Sequence, residues 1–204
     1  MNDLNLKQYA LPAYKHALFA PGGVILDIAF GSGTQLRQLS LEGCYPVGIE
    51  IKTRFVKEIT RENIPALLAR AEHLPFRAHS FDGAICKVVL PYVDEQQALI
   101  EIARVLRPGT EVDLTVHGIG YYMLYLLRSP RFKTRLYGAR TILNTWFFCL
   151  TRTRLPGFLG DTRYQSLNRL QRYFDRNGLR VVTCTPSRRF LGLPVFLYLR
   201  VRKN

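Results

Sequence analysis

The sequence predicts an α/β protein on a mostly parallel, doubly wound sheet, and three observations predict it. Apolar strand-like runs alternate with helix-period segments from about residue 24 to 116. A tight glycine turn, Ala29-Phe30-Gly31-Ser32-Gly33, joins the first strand to the first helix. The rhythm then breaks at Gly118, where an aromatic and basic stretch begins.

Each element follows from its own pattern. Val24 to Ile28 is a compact apolar run, and Thr34 to Leu41 places apolar residues at 36, 39 and 41 before Gly43 stops the helix. Tyr45 to Ile49 reads as a second strand ending on Glu50, Thr53 to Glu62 as a helix, and Pro65 to Arg70 as a short third strand. Phe81 to Val89 is strand-like, with Asp82 at its mouth. Asp94 and Gln97 resemble a capping box opening a helix whose Leu99, Ile102, Ala103 and Leu106 share one face. Pro108 and Gly109 end it, and Glu111 to Val116 is the next strand. Residues 119 to 160 read as two short helices forming an insertion. A last helix, about Arg163 to Asn177, turns Tyr164, Leu167, Leu170 and Phe174 inward and sets Arg169, Arg172 and Arg176 on another face. Leu179 to Thr185 and Val195 to Val201 then form an antiparallel edge hairpin. No internal repeat or linker divides the chain, so residues 1–204 read as a single domain with 119–160 as its lid.

Composition narrows the class of function. With 48% hydrophobic and 22% charged residues, a disordered or low-complexity chain is excluded. Lys and Arg number 29 against 15 Asp and Glu, a net charge of +14. The excess is confined to one half: residues 1–110 carry 12 basic and 11 acidic side chains, whereas residues 111–204 carry 17 and 4. No acidic residue falls between Asp113 and Asp161, a stretch holding seven basic ones. That asymmetry points to an anionic partner, a solvated basic face being the competing reading. The cysteines, Cys44, Cys86, Cys149 and Cys184, are scattered, and His73 and His79 lack partner cysteines, so no metal site is expected. The N-terminal residues lack a basic start followed by a long apolar core, and no apolar run approaches the roughly 18 residues of a membrane span, which suggests a cytoplasmic protein.

The chemistry is expected beyond the carboxyl ends of the strands. Gly31 and Gly33 let backbone approach a ligand beside a helix N-terminus with unpaired N–H groups. Glu50, 17 residues after Gly33, offers a carboxylate to both hydroxyls of a ribose. The third glycine of a dinucleotide fingerprint would fall on Leu36, and no Gly-Lys-Ser/Thr loop exists, so the ligand is a nucleoside without a pyrophosphate.

Five segments carry a resemblance: ILDIAFGSGT (25–34), VGIEI (47–51), AEHLPF (71–76), SFDGAICKVVLPYV (80–93) and ARVLRPG (103–109). In that order they resemble the class I S-adenosylmethionine-dependent methyltransferases of the small-molecule type called type 11. The resemblance covers about residues 20–118. It implies a Rossmann-like, seven-stranded sheet with the last strand antiparallel, S-adenosylmethionine across the first strand ends, and a substrate region from the later chain. Carried over residue by residue, it implies that Asp27, Ala29, Gly31 and Gly33 surround the methionine portion, Glu50 holds the ribose and Ile51 packs on adenine. Ala71 and Glu72 would flank the adenine edge, and Lys87 the carboxylate or methyl group. Two positions depart from the family pattern: Ala29 stands where the family has glycine, and Arg70 replaces an acid that accepts from the adenine amino group.

Methyl transfer asks for alignment of nucleophile, carbon and sulfur and exclusion of water, and such positioning is worth roughly 7 to 11 kcal/mol. A base is needed only where the acceptor must lose a proton. His117 is the first candidate and Tyr92 the second. For the acceptor, a small apolar molecule or lipid-like quinone ranks first, the latter with the basic aromatic stretch lying peripherally on an anionic membrane. RNA held by the basic half ranks second. It is weakened because Leu90-Pro91-Tyr92 lacks the amide or carboxylate of base-amino methylating enzymes. A noncatalytic nucleoside-binding module ranks last.

Overall fold

The computed structural model describes residues 19–153 and 155–204, together with Gln8; the N-terminal reading and Arg154 lie outside them. The first half runs β1 (Val24–Ile28), α1 (Thr34–Leu41), β2 (Tyr45–Glu50), α2 (Thr53–Thr60), β3 (Ala66–Leu68), β4 (Phe81–Lys87), α3 (Glu95–Val105) and β5 (Leu106–His117). The second runs α4 (Ile119–Arg128), α5 (Phe132–Thr151), α6 (Leu167–Arg176), β6 (Leu179–Pro186), a two-residue hairpin of β7 (Arg189–Phe190) and β8 (Leu193–Pro194), and β9 (Phe196–Lys203).

Seven strands form one sheet in the order β3-β2-β1-β4-β5-β9-β6. β1 to β5 are mutually parallel, and β9 inserts antiparallel between β5 and β6. This is the doubly wound fold the sequence implies. β1 crosses to β2 on one side and pairs with β4 on the other, so the topological switch point lies between β1 and β4. Strands covered on both faces must be apolar throughout, and Phe81, Ala84, Ile85 and Cys86 of β4 are all buried. Val112, Leu114 and Val116 pair with Val201, Leu199 and Leu197, continuing the core across β9. Asp94 accepts from the backbone N–H of Gln96 and Gln97 and starts α3 as expected.

α3 stops at Val105 rather than at Pro108 and Gly109, because Leu106 already opens β5, and Leu167 is exposed rather than inward. Three further details differ from expectation. α5 is a 20-residue helix rather than a short one; Gly138 lets it cross α4 closely, since a Cβ there would sit 2.6 Å from the Tyr122 carbonyl oxygen. α6 starts at Leu167, not Arg163, because residues 160–164 run irregularly along α5 with their peptide groups tied to it. Arg169 is buried rather than facing out: Glu95 of α3, fully buried, accepts from its Nε at 2.5 Å, with Arg163 and Gln165 around the same carboxylate. That ion pair ties the two halves of the chain together.

Candidate functional site

Where β1, β2 and β4 end, the chain leaves a cleft of about 320 Å³. Of the residues singled out in the sequence, Ala29, Glu50, Ile51, Ala71, Glu72, Lys87 and Tyr92 line it. The parallel register explains the convergence, because Ile28, Ile49 and Cys86 lie side by side and the next residues must all turn out at the same edge.

Glu50 is buried and fixed before any ligand arrives. The Gly31 N–H donates to its Oε2 at 3.1 Å, and the Ile51 and Lys52 N–H groups donate to Oε1 at 2.9 and 3.1 Å. Three backbone donors fix the direction of the carboxylate, leaving lone pairs for further donors. Gly31 sits at φ 58° with nothing within 4 Å of the place a Cβ would occupy, so the turn leaves open space beside the carboxylate. Gly33 has a different role: its Cβ would meet Ile59 Cδ1 at 2.5 Å, so its smallness serves the packing of α1 on α2.

Deeper in, Asp27 is buried with Oδ2 lacking any partner. Burial pushes its carboxyl up to about 7, the Lys87 ammonium pulls it down and the nearby Glu50 charge adds to the rise. Lys87 donates to Gln35 Oε1, and burial pushes its ammonium below the ordinary lysine value. A buried, orphaned carboxylate oxygen beside an open glycine turn is an acceptor set for an ammonium group. At the other end of the cleft, Arg70 pairs with Glu72 Oε1 at 3.3 Å while Glu72 Oε2 is buried without a partner. These residues fit S-adenosylmethionine: an acceptor for its ammonium, a fixed carboxylate for its ribose and a free acceptor for its adenine amino group.

The cleft rim carries backbone strain that the sequence does not announce. Ala29 and Val88 both adopt positive φ, 58° and 59°, a region costly for residues with a Cβ and more so for β-branched ones. Val88 and Val89 line the cleft, and no sequence signal marks them.

The two proton-transfer candidates part company. Tyr92 is half exposed at the cleft, its hydroxyl 3.1 Å from that of Tyr137 on α5. His117 lines no part of the cleft. It is buried, its ring stacked 3.6 Å from Tyr121 and its Nδ1 3.4 Å from the Tyr122 hydroxyl. Desolvation lowers its pKa to about 3, so the imidazole stays neutral and is a weak base. Tyr122 in turn packs against Tyr137, ring centroids 5.8 Å apart, so a run of tyrosines leads from His117 to Tyr92. Burial raises the hydroxyl pKa of Tyr121, Tyr122 and Tyr137 above the ordinary phenol value, keeping all three protonated.

The sequence profile of the methyltransferase domain family matches residues 26–112, the stretch that builds this cleft. Over that stretch, somewhat less than half of the chain, the protein is similar to the methyltransferase domain family. Among curated relatives, a demethylmenaquinone methyltransferase of Corynebacterium kroppenstedtii is 33% identical over 90 residues, 44% of this chain and 39% of the relative. The chain thus matches about two-fifths of that relative's length. Among solved structures, an S-adenosylmethionine-dependent methyltransferase of Mesorhizobium loti superposes with a TM-score of 0.68 at 17% identity, over 92% of this chain and 94% of its own. The 1,6-didemethyltoxoflavin-N1-methyltransferase of Burkholderia thailandensis, solved with its substrate and S-adenosylhomocysteine, gives 0.62 at 14%, over 90% and 72%. Both show the fold.

Proposed function

We propose that the protein is an S-adenosylmethionine-dependent methyltransferase acting on a small apolar, quinone- or lipid-like acceptor. The observation that carries this reading is the carboxylate of Glu50, held by three backbone N–H groups at the switch point, with the orphaned oxygen of Asp27 buried near enough to feel its charge. In this reading Glu50 accepts both ribose hydroxyls, Asp27 accepts from the ammonium, Ile51 covers adenine, and Ala71 and Glu72 flank its edge. Gly31 and Ala29 leave room for the methionine chain, Gly33 shapes the turn, and Lys87 stands near the carboxylate. Bound there, the cofactor supplies an activated methyl group on a sulfonium with a neutral leaving group. The chain's own work is to orient the acceptor and keep water out. Tyr92 is placed to touch the acceptor, its hydroxyl oriented by Tyr137; neutral, buried His117 holds the far end of the tyrosine run. Residues 119–160 act as the lid of a single domain. The demethylmenaquinone methyltransferase relative supports an acceptor of quinone type.

Calorimetric titration with S-adenosylhomocysteine tests the site. Two charge-assisted hydrogen bonds of about 1.5 to 3 kcal/mol each make Glu50→Ala weaken binding by about 100-fold or more. Transfer of a labelled methyl group to total lipid and quinone fractions tests the acceptor, with the RNA fraction as the competing outcome. Unchanged affinity in Glu50→Ala, or label appearing only in RNA, overturns the corresponding half of the reading.

A further inference from the structure

Helix α5 is inside out. The face it turns toward the protein carries Thr141, Asn144 and Thr145, all fully buried. The face it turns to solvent carries Phe132, Leu136, Leu143, Trp146, Phe147 and Leu150, all exposed. Spaced by four, seven, three, one and three, these six fall on one stripe about 27 Å long at 1.5 Å per residue. The inversion has a cause within the fold. Residues 160–164 run irregularly against α5, and their peptide groups need partners. Asn144 donates to the carbonyls of Gly160 and Thr162 at 3.1 and 2.8 Å, the Tyr164 N–H donates to Thr145 Oγ1 at 3.0 Å, and Thr141 pairs with Thr162 at 2.8 Å. With polar residues used inside, nothing in that account explains an outer face of aromatic and branched apolar side chains, since solvent would be served by any polar residue. A contiguous apolar surface of this kind marks a docking surface.

We propose that α5 docks the protein on an anionic lipid bilayer, its outward stripe seated at the boundary of headgroups and acyl chains. Charge selects this occupant. No acidic residue occurs between Asp113 and Asp161, and Arg128, Lys133 and Arg152 stand exposed at the two ends of the stripe. Beyond the C-terminal end of α5, Arg152, Arg169, Arg172 and Arg176 line one cleft that includes no acidic side chain, although Glu95 holds Arg169 from behind. An apolar stripe with aromatic residues and flanking cations is the composition of a helix lying in a membrane interface. A second copy of the chain is disfavoured, because closing two such stripes together would oppose two faces of like charge. RNA is disfavoured, because Leu136, Leu143 and Leu150 offer nothing to phosphates. Among the described residues no helix is long and apolar enough to cross a membrane, so the contact proposed is lateral.

Trp146 makes the test direct, because it is the single tryptophan of the chain and is 58% exposed on the stripe. The probe is sedimentation with vesicles of phosphatidylcholine alone, or of equal parts phosphatidylcholine and phosphatidylglycerol, with no cofactor or acceptor added. Expected are pelleting with the anionic vesicles, weaker pelleting with the neutral ones, a blue shift of Trp146 emission and its quenching by brominated acyl chains. Leu143→Glu with Leu150→Glu should cut partitioning at least tenfold while leaving the thermal midpoint unchanged, both side chains being exposed. Lys133→Glu with Arg128→Glu should reduce binding to anionic vesicles about tenfold and leave neutral ones unaffected. The proposal is overturned by absence of vesicle binding, or by binding that ignores the stripe variants. Self-association, or a Trp146 shift on adding RNA, that the leucine variants abolish while vesicles have no effect would overturn it too. Because no methyl transfer enters the readout, failure here and failure of the enzymatic reading are separate results.

Discussion

The two halves of the chain handle polar residues in opposite ways. In residues 24–117 four of the buried polar groups, Asp27, Glu50, Glu72 and Gln35, lie at or beneath one cleft, and Asp27 and Glu72 each keep an oxygen without a partner. On α5 the buried Thr141, Asn144 and Thr145 are hydrogen-bonded to the chain, and it is the apolar stripe from Phe132 to Leu150 that is left without cover. Unsatisfied polar atoms at a strand edge call for a small polar ligand; an unsatisfied apolar stripe calls for an apolar surface. One molecule thus presents two kinds of unmatched surface, polar at the strand edge and apolar along α5.

The sharpest way to break the contrast is to cut the bond between the halves. Glu95→Ala leaves Arg169 and Arg163 buried without the carboxylate that balances them. The expected loss is about 3 to 5 kcal/mol in denaturant unfolding. A loss below 1 kcal/mol would mean that the later half holds on through apolar packing alone.

A middle-sized effect lies in the pH response of Asp27. Its folded pKa, about 7, is above the ordinary 3.8 because burial penalises the charge. The ligand-free protein therefore loses stability as pH rises from about 4 through 7, while Asp27→Asn does not. The variant's thermal midpoint should equal that of the wild type near pH 4 and exceed it at pH 8. For the ligand the sign reverses: an ammonium requires the ionised carboxylate, so wild-type affinity for S-adenosylhomocysteine should rise with pH through about 7. Parallel pH profiles for the two proteins would remove Asp27 from the site.

The smallest effect concerns Ala29, held at φ 58° where glycine carries no penalty. Ala29→Gly should stabilise the fold by about 1 kcal/mol. Destabilisation would show that the methyl group packs usefully against the cleft floor.

Much of the first half was legible because its signals are local. The apolar run before the glycine turn, the acid ending β2 and the Asp94 cap each specify a conformation within a few residues, and the parallel sheet then collects the strand ends on one edge. His117 shows where locality misleads: it stands just past a strand end, as a base would, yet α4 folds back and buries it beside Tyr121 and Tyr122. Arg169 is the same lesson on a helix face, since only the approach of Glu95, 74 residues away, explains its burial. Val88 gives no sequence sign of its positive φ, because nothing about a valine asks for one.

By itself the sequence determined the order of strands and helices, the glycine turn, the acid at the end of the second strand and the charge imbalance between the halves. These depend on side-chain periodicity and on contacts a few residues apart. Only the tertiary structure decided which face of α5 looks outward, which oxygens of Asp27 and Glu72 are left without partners, and that Tyr92 meets Tyr137. Those outcomes depend on which distant backbone groups compete for the same hydrogen-bonding side chains, and that competition exists only once the chain is packed.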